Sequence, residues 1–166
     1  MSYHCNTCGE THEGLPFPWG SEAPALCYEI PEIERDRRIE MSSDQCIVDG
    51  TNYFVLGRIE IRVVNSADNF YWLAWVSVSE PDYDRMTDLW QSMGRETEPP
   101  YSCTLSSELP CYSESTLGLA AQLYTQPVGE RPFVVFDLSD HPIVIEQRNG
   151  ITISRVQEIG EKCMHG

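Results

Sequence analysis

Two runs of β-forming residues joined by a short polar turn constrain this chain more than any other feature. In residues 53–64, Ile59, Ile61 and Val63 alternate with Arg58, Glu60 and Arg62. A period of two sends one face of a strand into a core and the other into water. After a turn at 65–69 comes a second run, 70–79, rich in aromatics and containing Trp72 and Trp75. Upstream, Cys46, Ile47 and Val48 lead into Asp49-Gly50, a dipeptide suited to the positive φ angles of a tight hairpin. The three runs read as an antiparallel meander.

The rest of the chain places helices around that sheet. A short charged helix is expected over 31–40, with Pro31 at its start. Tyr83, Met86, Leu89, Trp90 and Met93 recur at spacings of three and four, the pattern of an amphipathic helix over 81–93. Further strands are expected at 101–106, 116–125 and 132–138, the second from the alternation of Leu117, Leu119, Ala121 and Leu123. Asp140 is placed to cap a helix that Gly150 ends, and a last helix carries Val156, Ile159 and Cys163 on one side. Strands in hairpin succession, with helices inserted and appended, define an α+β fold. Residues 1–28, punctuated by glycine and proline, form an irregular cysteine-containing segment, and 29–166 the body of one domain.

Charge narrows the function. The chain has 26 acids against 11 bases, a net charge of −15, and Lys162 is its only lysine. Nucleic-acid binding relies on neutralising phosphates with Lys and Arg, so it is excluded, and anionic membrane surfaces are disfavoured for the same reason. No apolar run approaches the ~20 residues of a membrane span, and the start of the chain carries no secretory pattern. A cytoplasmic location follows as the expectation. The surplus of acid has three readings: a charged soluble surface, a face for a basic protein partner, or adaptation to high salt.

Chemistry concentrates at Cys5-Asn6-Thr7-Cys8-Gly9. Two thiolates at this spacing can chelate one tetrahedral Zn²⁺, and the glycine permits the tight turn between them. One such pair is half a site. His12 and Cys46 are candidates to complete it, with His4, Cys27 and His141 as further choices. A redox dithiol is the other reading of Cys5 and Cys8, disfavoured because no strand precedes the motif. No hydrolase elbow, P-loop or dinucleotide fingerprint occurs. Asp140-His141 is suggestive of an acid orienting an imidazole, and helix capping explains it as well. Glu80, Asp82, Asp84 and Asp88 lie near the start of the expected helix, where the macrodipole favours carboxylates, and they form a solvated or partner-facing acidic surface.

The segments CNTCGETHEGLPFPWGSEAP, SDQCIVDGTNYFVLGRIEI, WVSVSE, GRETEPPY and DHPIVIEQRNGITISRVQEI, in that order, resemble the bacterial domain of unknown function 2199. The resemblance spans essentially the whole chain, and Cys5, Cys8, Gly9 and His12 match the family's start. It implies one intact bacterial domain and brings no reaction with it. The expected function is therefore a non-enzymatic interaction protein that binds a basic partner, as an antitoxin or immunity protein would. A small protein with a structural zinc, or an enzyme of unrecognised type using Asp140 and His141, are the alternatives.

Overall fold

The computed structural model describes the backbone of residues 2–4, 11–13 and 19–165 and the side chains of residues 20–163. Its strands are β1 (Ser2–His4), β2 (Thr11–Glu13), β3 (Trp19–Gly20), β4 (Ile39–Met41), β5 (Gln45–Val48), β6 (Asn52–Ile61), β7 (Phe70–Val78), β8 (Tyr101–Leu105), β9 (Ala120–Tyr124) and β10 (Phe133–Phe136). Its helices are α1 (Ala25–Glu29), α2 (Glu32–Arg38), α3 (Glu80–Asp88), α4 (Pro142–Asn149) and α5 (Ile153–His165), with a 3₁₀ turn at Arg95–Thr97.

The sheet is a closed barrel of five strands, β6 to β10, and not the open meander expected from the sequence. Each consecutive pair from β6 to β10 is antiparallel. Five strands of alternating direction leave the first and last pointing the same way, so closure requires a parallel pair. β10 supplies it: Phe133 stands opposite Arg58 of β6, and the Arg58 N–H donates to the Pro132 carbonyl at 2.8 Å. Alternation of apolar and polar residues is the same in an open and a closed sheet, which is why the pattern left closure unread.

The long β6–β7 ribbon does two jobs along its length. Residues 52–55 of β6 pair on their outer edge with β5, which in turn pairs with β4, whereas Arg58 on that edge pairs with β10. Because side chains alternate, one ribbon face fills the barrel with Val55, Ile59, Ile61, Trp72, Ala74 and Val76. The opposite face builds a second cluster from Phe54, Leu56 and Trp75, covered by Cys27 and Ile30 and joined by Cys46 and Val48 of β5. Tyr83 and Met86 of α3 join the barrel core near Tyr53, the two tyrosine rings lying 5.1 Å apart. Ile143, Val144, Val156 and Ile159 of α4 and α5 join it too, and Val63 just beyond β6 bridges to Ile151.

Local boundaries differ from the sequence pattern for specific reasons. The first charged helix stops at Arg38 because residues 39–41 pair with β5. The amphipathic helix stops at Asp88, so Met93 is 89% exposed and does not continue the buried face. The strand expected from 116 begins at Ala120, since Gly118 adopts φ 82 and Thr116 is buried as a hydrogen-bonding hub. Asp49 and Gly50 both have positive φ, as their hairpin requires.

Gly57 sits where the outer edge of β6 passes from β5 to β10. A Cβ there would lie 2.6 Å from Val134 Cγ2 and 3.3 Å from Leu123 Cδ1, both inside the barrel. Gly57→Ala should therefore cost about 1–3 kcal/mol through overpacking of stiff, buried neighbours. Urea unfolding reads it: the midpoint falls, and an unchanged midpoint would mean that the closure zone has room to spare.

Candidate functional site

A groove of about 340 Å³ lies between the end of α3 and the loop that follows β9. Amphipathic spacing explains one wall: Met86 turns inward to the barrel core, while Leu89 and Trp90 just past the helix remain half-buried at the groove. Tyr101, at the start of β8, contributes a buried ring whose phenol is pushed up by burial and then by the Glu98 carboxylate. Arg95 holds the opposite wall in place. Its Nε–H donates to the Gln126 carbonyl at 2.7 Å, Nη1 to that of Trp90, and Nη2 to those of Pro127 and Glu130. A planar guanidinium can satisfy four carbonyls in this way and an ammonium cannot. Arg131 pairs with Asp44 at 3.1 Å across the rim. The Thr125 hydroxyl is buried in this lining with no hydrogen-bond partner among the described residues.

The acidic residues expected to face a partner all belong to α3 but not to one face of it: Glu80, Asp84 and Asp88 fall on one side of the helix and Asp82 on the other, and none of them lines the groove. Ser79 caps the helix by accepting from the Asp82 N–H, and Glu80 and Asp82 occupy its first turn. Glu80, Asp84 and Asp88 are exposed and Asp82 is half-buried. None of the four enters a salt bridge among the described residues. The one base of the helix, Arg85, is committed to Glu98 at 2.6 Å. The groove can thus seat an uncharged side chain at the end of a helix whose other side carries uncompensated negative charge.

The expected zinc site is corrected by the surroundings of Cys46. Cys46 is fully buried in β5, and its sulfur lies 3.8 Å from that of Cys27 in the second apolar cluster. Burial, and next the Cys27 charge, push its thiol up to about 12, which opposes the thiolate that a metal needs. Among the described residues no group of three or more His, Cys, Asp or Glu side chains could hold a metal ion. Cys5 and Cys8 lie outside the described residues. His12 stands opposite Tyr3 in the β1–β2 pair, and its side chain also lies outside them.

Asp140 and His141 do not form a catalytic pair. His141, and not Asp140, is the cap of α4: its Nδ1 accepts from the Ile143 N–H at 3.1 Å, so Nε2 carries the hydrogen and donates to the Glu114 carbonyl at 3.2 Å. Asp140 is exposed. Both ring nitrogens are therefore engaged with backbone. Sequence reasoning missed the groove itself. Trp90 was visible as part of a helical stripe, but nothing in the pattern connects Asp44, Thr125 and Arg131, which only the barrel's loop geometry brings together.

Residues 4–151 match a family model described as an uncharacterized protein conserved in bacteria, DUF2199. Neither the search of curated proteins nor that of solved structures returned a match. Among the described residues no helix is long and apolar enough to cross a membrane.

Arg95 offers a direct test of how the groove is built. Arg95→Lys, which removes the fork but keeps the charge, should lower stability by about 1–3 kcal/mol, as expected for hydrogen bonds to a charged group. Hydrogen exchange should quicken at the amides of residues 126–130 while those of β6 and β7 stay protected. Unchanged exchange in that loop would mean the wall stands without Arg95.

Proposed function

The chain belongs to DUF2199, and from that premise we propose that it is a non-enzymatic binder of a basic protein. The α3 carboxylates make the charged contact, and the groove at the end of that helix receives an uncharged anchor from the partner. The observation that carries this reading is the set Glu80, Asp82, Asp84 and Asp88 on one helix whose only base is already spent on Glu98. A domain of net charge −15 repels other acidic surfaces and attracts basic ones over roughly a Debye length, about 8 Å at physiological salt. Such charge complementarity chiefly speeds and selects the encounter, while a buried anchor sets how long the complex lasts. Neutralisation of a basic enzyme, as by an antitoxin or immunity protein, is the form of binding that fits a surface of this kind.

Two features support the whole chain acting as one domain in this role. Helices α4 and α5 add Ile143, Val144, Val156 and Ile159 to the same core as the barrel strands. Helix α3, which carries the acids, is anchored in that core through Tyr83 and Met86. A cytoplasmic location goes with this reading.

Asp84→Asn with Asp88→Asn removes two charges at little structural cost, because both side chains are exposed and outside the first turn of α3. Asp88 lies at the helix C-terminus, where the macrodipole disfavours a carboxylate, so its removal does not weaken the helix. Purified wild-type and variant protein, immobilised in parallel, are offered a lysate of the source bacterium at low and at high salt. The reading expects a basic protein retained by wild type at low salt, with retention about fivefold to tenfold weaker on the variant and the difference fading as salt rises. Equal retention by both, or no basic protein retained at either salt, contradicts it.

A further inference from the structure

The groove at the end of α3 is selective by chemistry as well as by shape. Charges in its lining balance, Asp44 and Glu130 against Arg95 and Arg131, although the chain as a whole carries −15. Asp44 is held by Arg131 at 3.1 Å. Arg95 turns its N–H groups onto the backbone carbonyls of Trp90, Gln126, Pro127 and Glu130. A charged group entering here would give up its water for partners already committed, a cost that an uncharged group escapes.

Between the charges the wall is apolar, built from Met86, Leu89, Trp90, Tyr101, Val128 and Pro132. Rings and a thioether are surfaces against which an aromatic side chain packs by face or by edge. At about 340 Å³ the groove stands at the small end of ligand pockets, which run from roughly 300 to 1,000 Å³, so it suits one ring system. One polar atom in this wall is unspent. The Thr125 hydroxyl is shielded from water and has no hydrogen-bond partner among the described residues. Thr125 directly precedes the 126–130 loop that Arg95 ties down. A group that supplies the missing bond gains what a methyl in the same place cannot.

We propose that the groove is a pocket for one uncharged aromatic ring bearing a single N–H or O–H, the indole of a tryptophan or the phenol of a tyrosine, with Thr125 as its hydrogen-bonding partner; resting on the reading that a basic protein docks at α3, this ring is that protein's anchor. Tryptophan, tyrosine and arginine are the side chains that most often dominate an interface. The two guanidiniums already in the lining exclude the third of these. Because the Thr125 oxygen lies beneath the groove's surface, a ring reaches it only as the 126–130 wall gives, so the hydrogen bond and a displacement of that loop come together.

The test uses the full chain labelled with nitrogen-15, and small molecules that stand for the side chains. Indole and p-cresol represent rings with a donor, toluene a ring without one, and butylguanidinium an arginine. Amide shifts are followed by NMR as each is titrated. Indole and p-cresol should shift the amides of residues 89–91, 101, 125, 126 and 128–130 saturably, with Kd on the order of 1 mM for ligands of so few atoms. Toluene should bind about fivefold more weakly, the worth of one hydrogen bond, and should move residues 128–130 less. Butylguanidinium should not saturate. Thr125→Val keeps the branched shape and removes only an unpartnered hydroxyl, so the fold should stand while indole and p-cresol fall to the level of toluene. Trp90→Ala should weaken all three rings alike.

Toluene binding wild type as tightly as indole, an indole affinity unchanged in Thr125→Val, saturable butylguanidinium at the same amides, or no saturable shift around the groove would each overturn the proposal. Retention from lysate separates its failure from that of the reading beneath it. A retained basic protein that saturating indole does not release overturns the aromatic pocket and leaves the docking at α3 standing. Indole binding that depends on Thr125, with no basic protein retained, upholds the pocket and removes the protein partner.

Discussion

Closure of the barrel rests on a narrow parallel contact, in which β10 lies against β6 at Arg58 and Phe133. An odd number of antiparallel strands cannot close any other way, and the contact forms only where β6 lets go of β5. Gly57 makes room for the handover, because Val134 and Leu123 occupy the space a side chain would take. Arg58 then seals the outside, its guanidinium lying 4.8 Å from the Phe133 ring and 5.1 Å from that of Tyr71. The positions of the loops at both ends of the barrel follow from this closure.

The groove is one consequence. Closing β9 and β10 onto the ribbon brings the 126–130 loop beside the end of α3, and Arg95 joins the two through backbone carbonyls. The acidic helix is thus held at the rim of a cavity and does not stand alone on the surface. At the other end of β6, Val63 bridges to Ile151, which sets the start of α5 and thereby where Arg155 meets the loop that carries Cys111.

Much of this was legible in residue patterns and some of it was not. The β6–β7 hairpin followed from the alternation of Ile59 and Ile61 with Arg58 and Glu60, and the Asp49-Gly50 turn from its chemistry. Helix α3 and its acids were also legible, since the spacing of Tyr83 and Met86 is local. Closure was not, because period two reports which face is buried and nothing about which strand lies beyond the edge. The cysteines misled for a related reason. Spacing drew attention to Cys5 and Cys8, whereas Cys46 is occupied with Cys27 through a tertiary contact that no sequence interval encodes. His141 shows the same limit: an imidazole beside Asp140 looked like chemistry, and backbone partners on both nitrogens make it a structural cap.

Exchange of the Arg58 amide hydrogen is the most direct measurement of the central claim, that β10 closes a barrel on β6. That N–H points outward from β6 at a position where an open meander would leave it facing solvent. In the closed barrel it donates to the Pro132 carbonyl at 2.8 Å, so its protection should match that of the amides in the middle of the β6–β7 ladder. Exchange of Arg58 at the rate of an unprotected surface amide, with the ladder itself protected, would contradict closure.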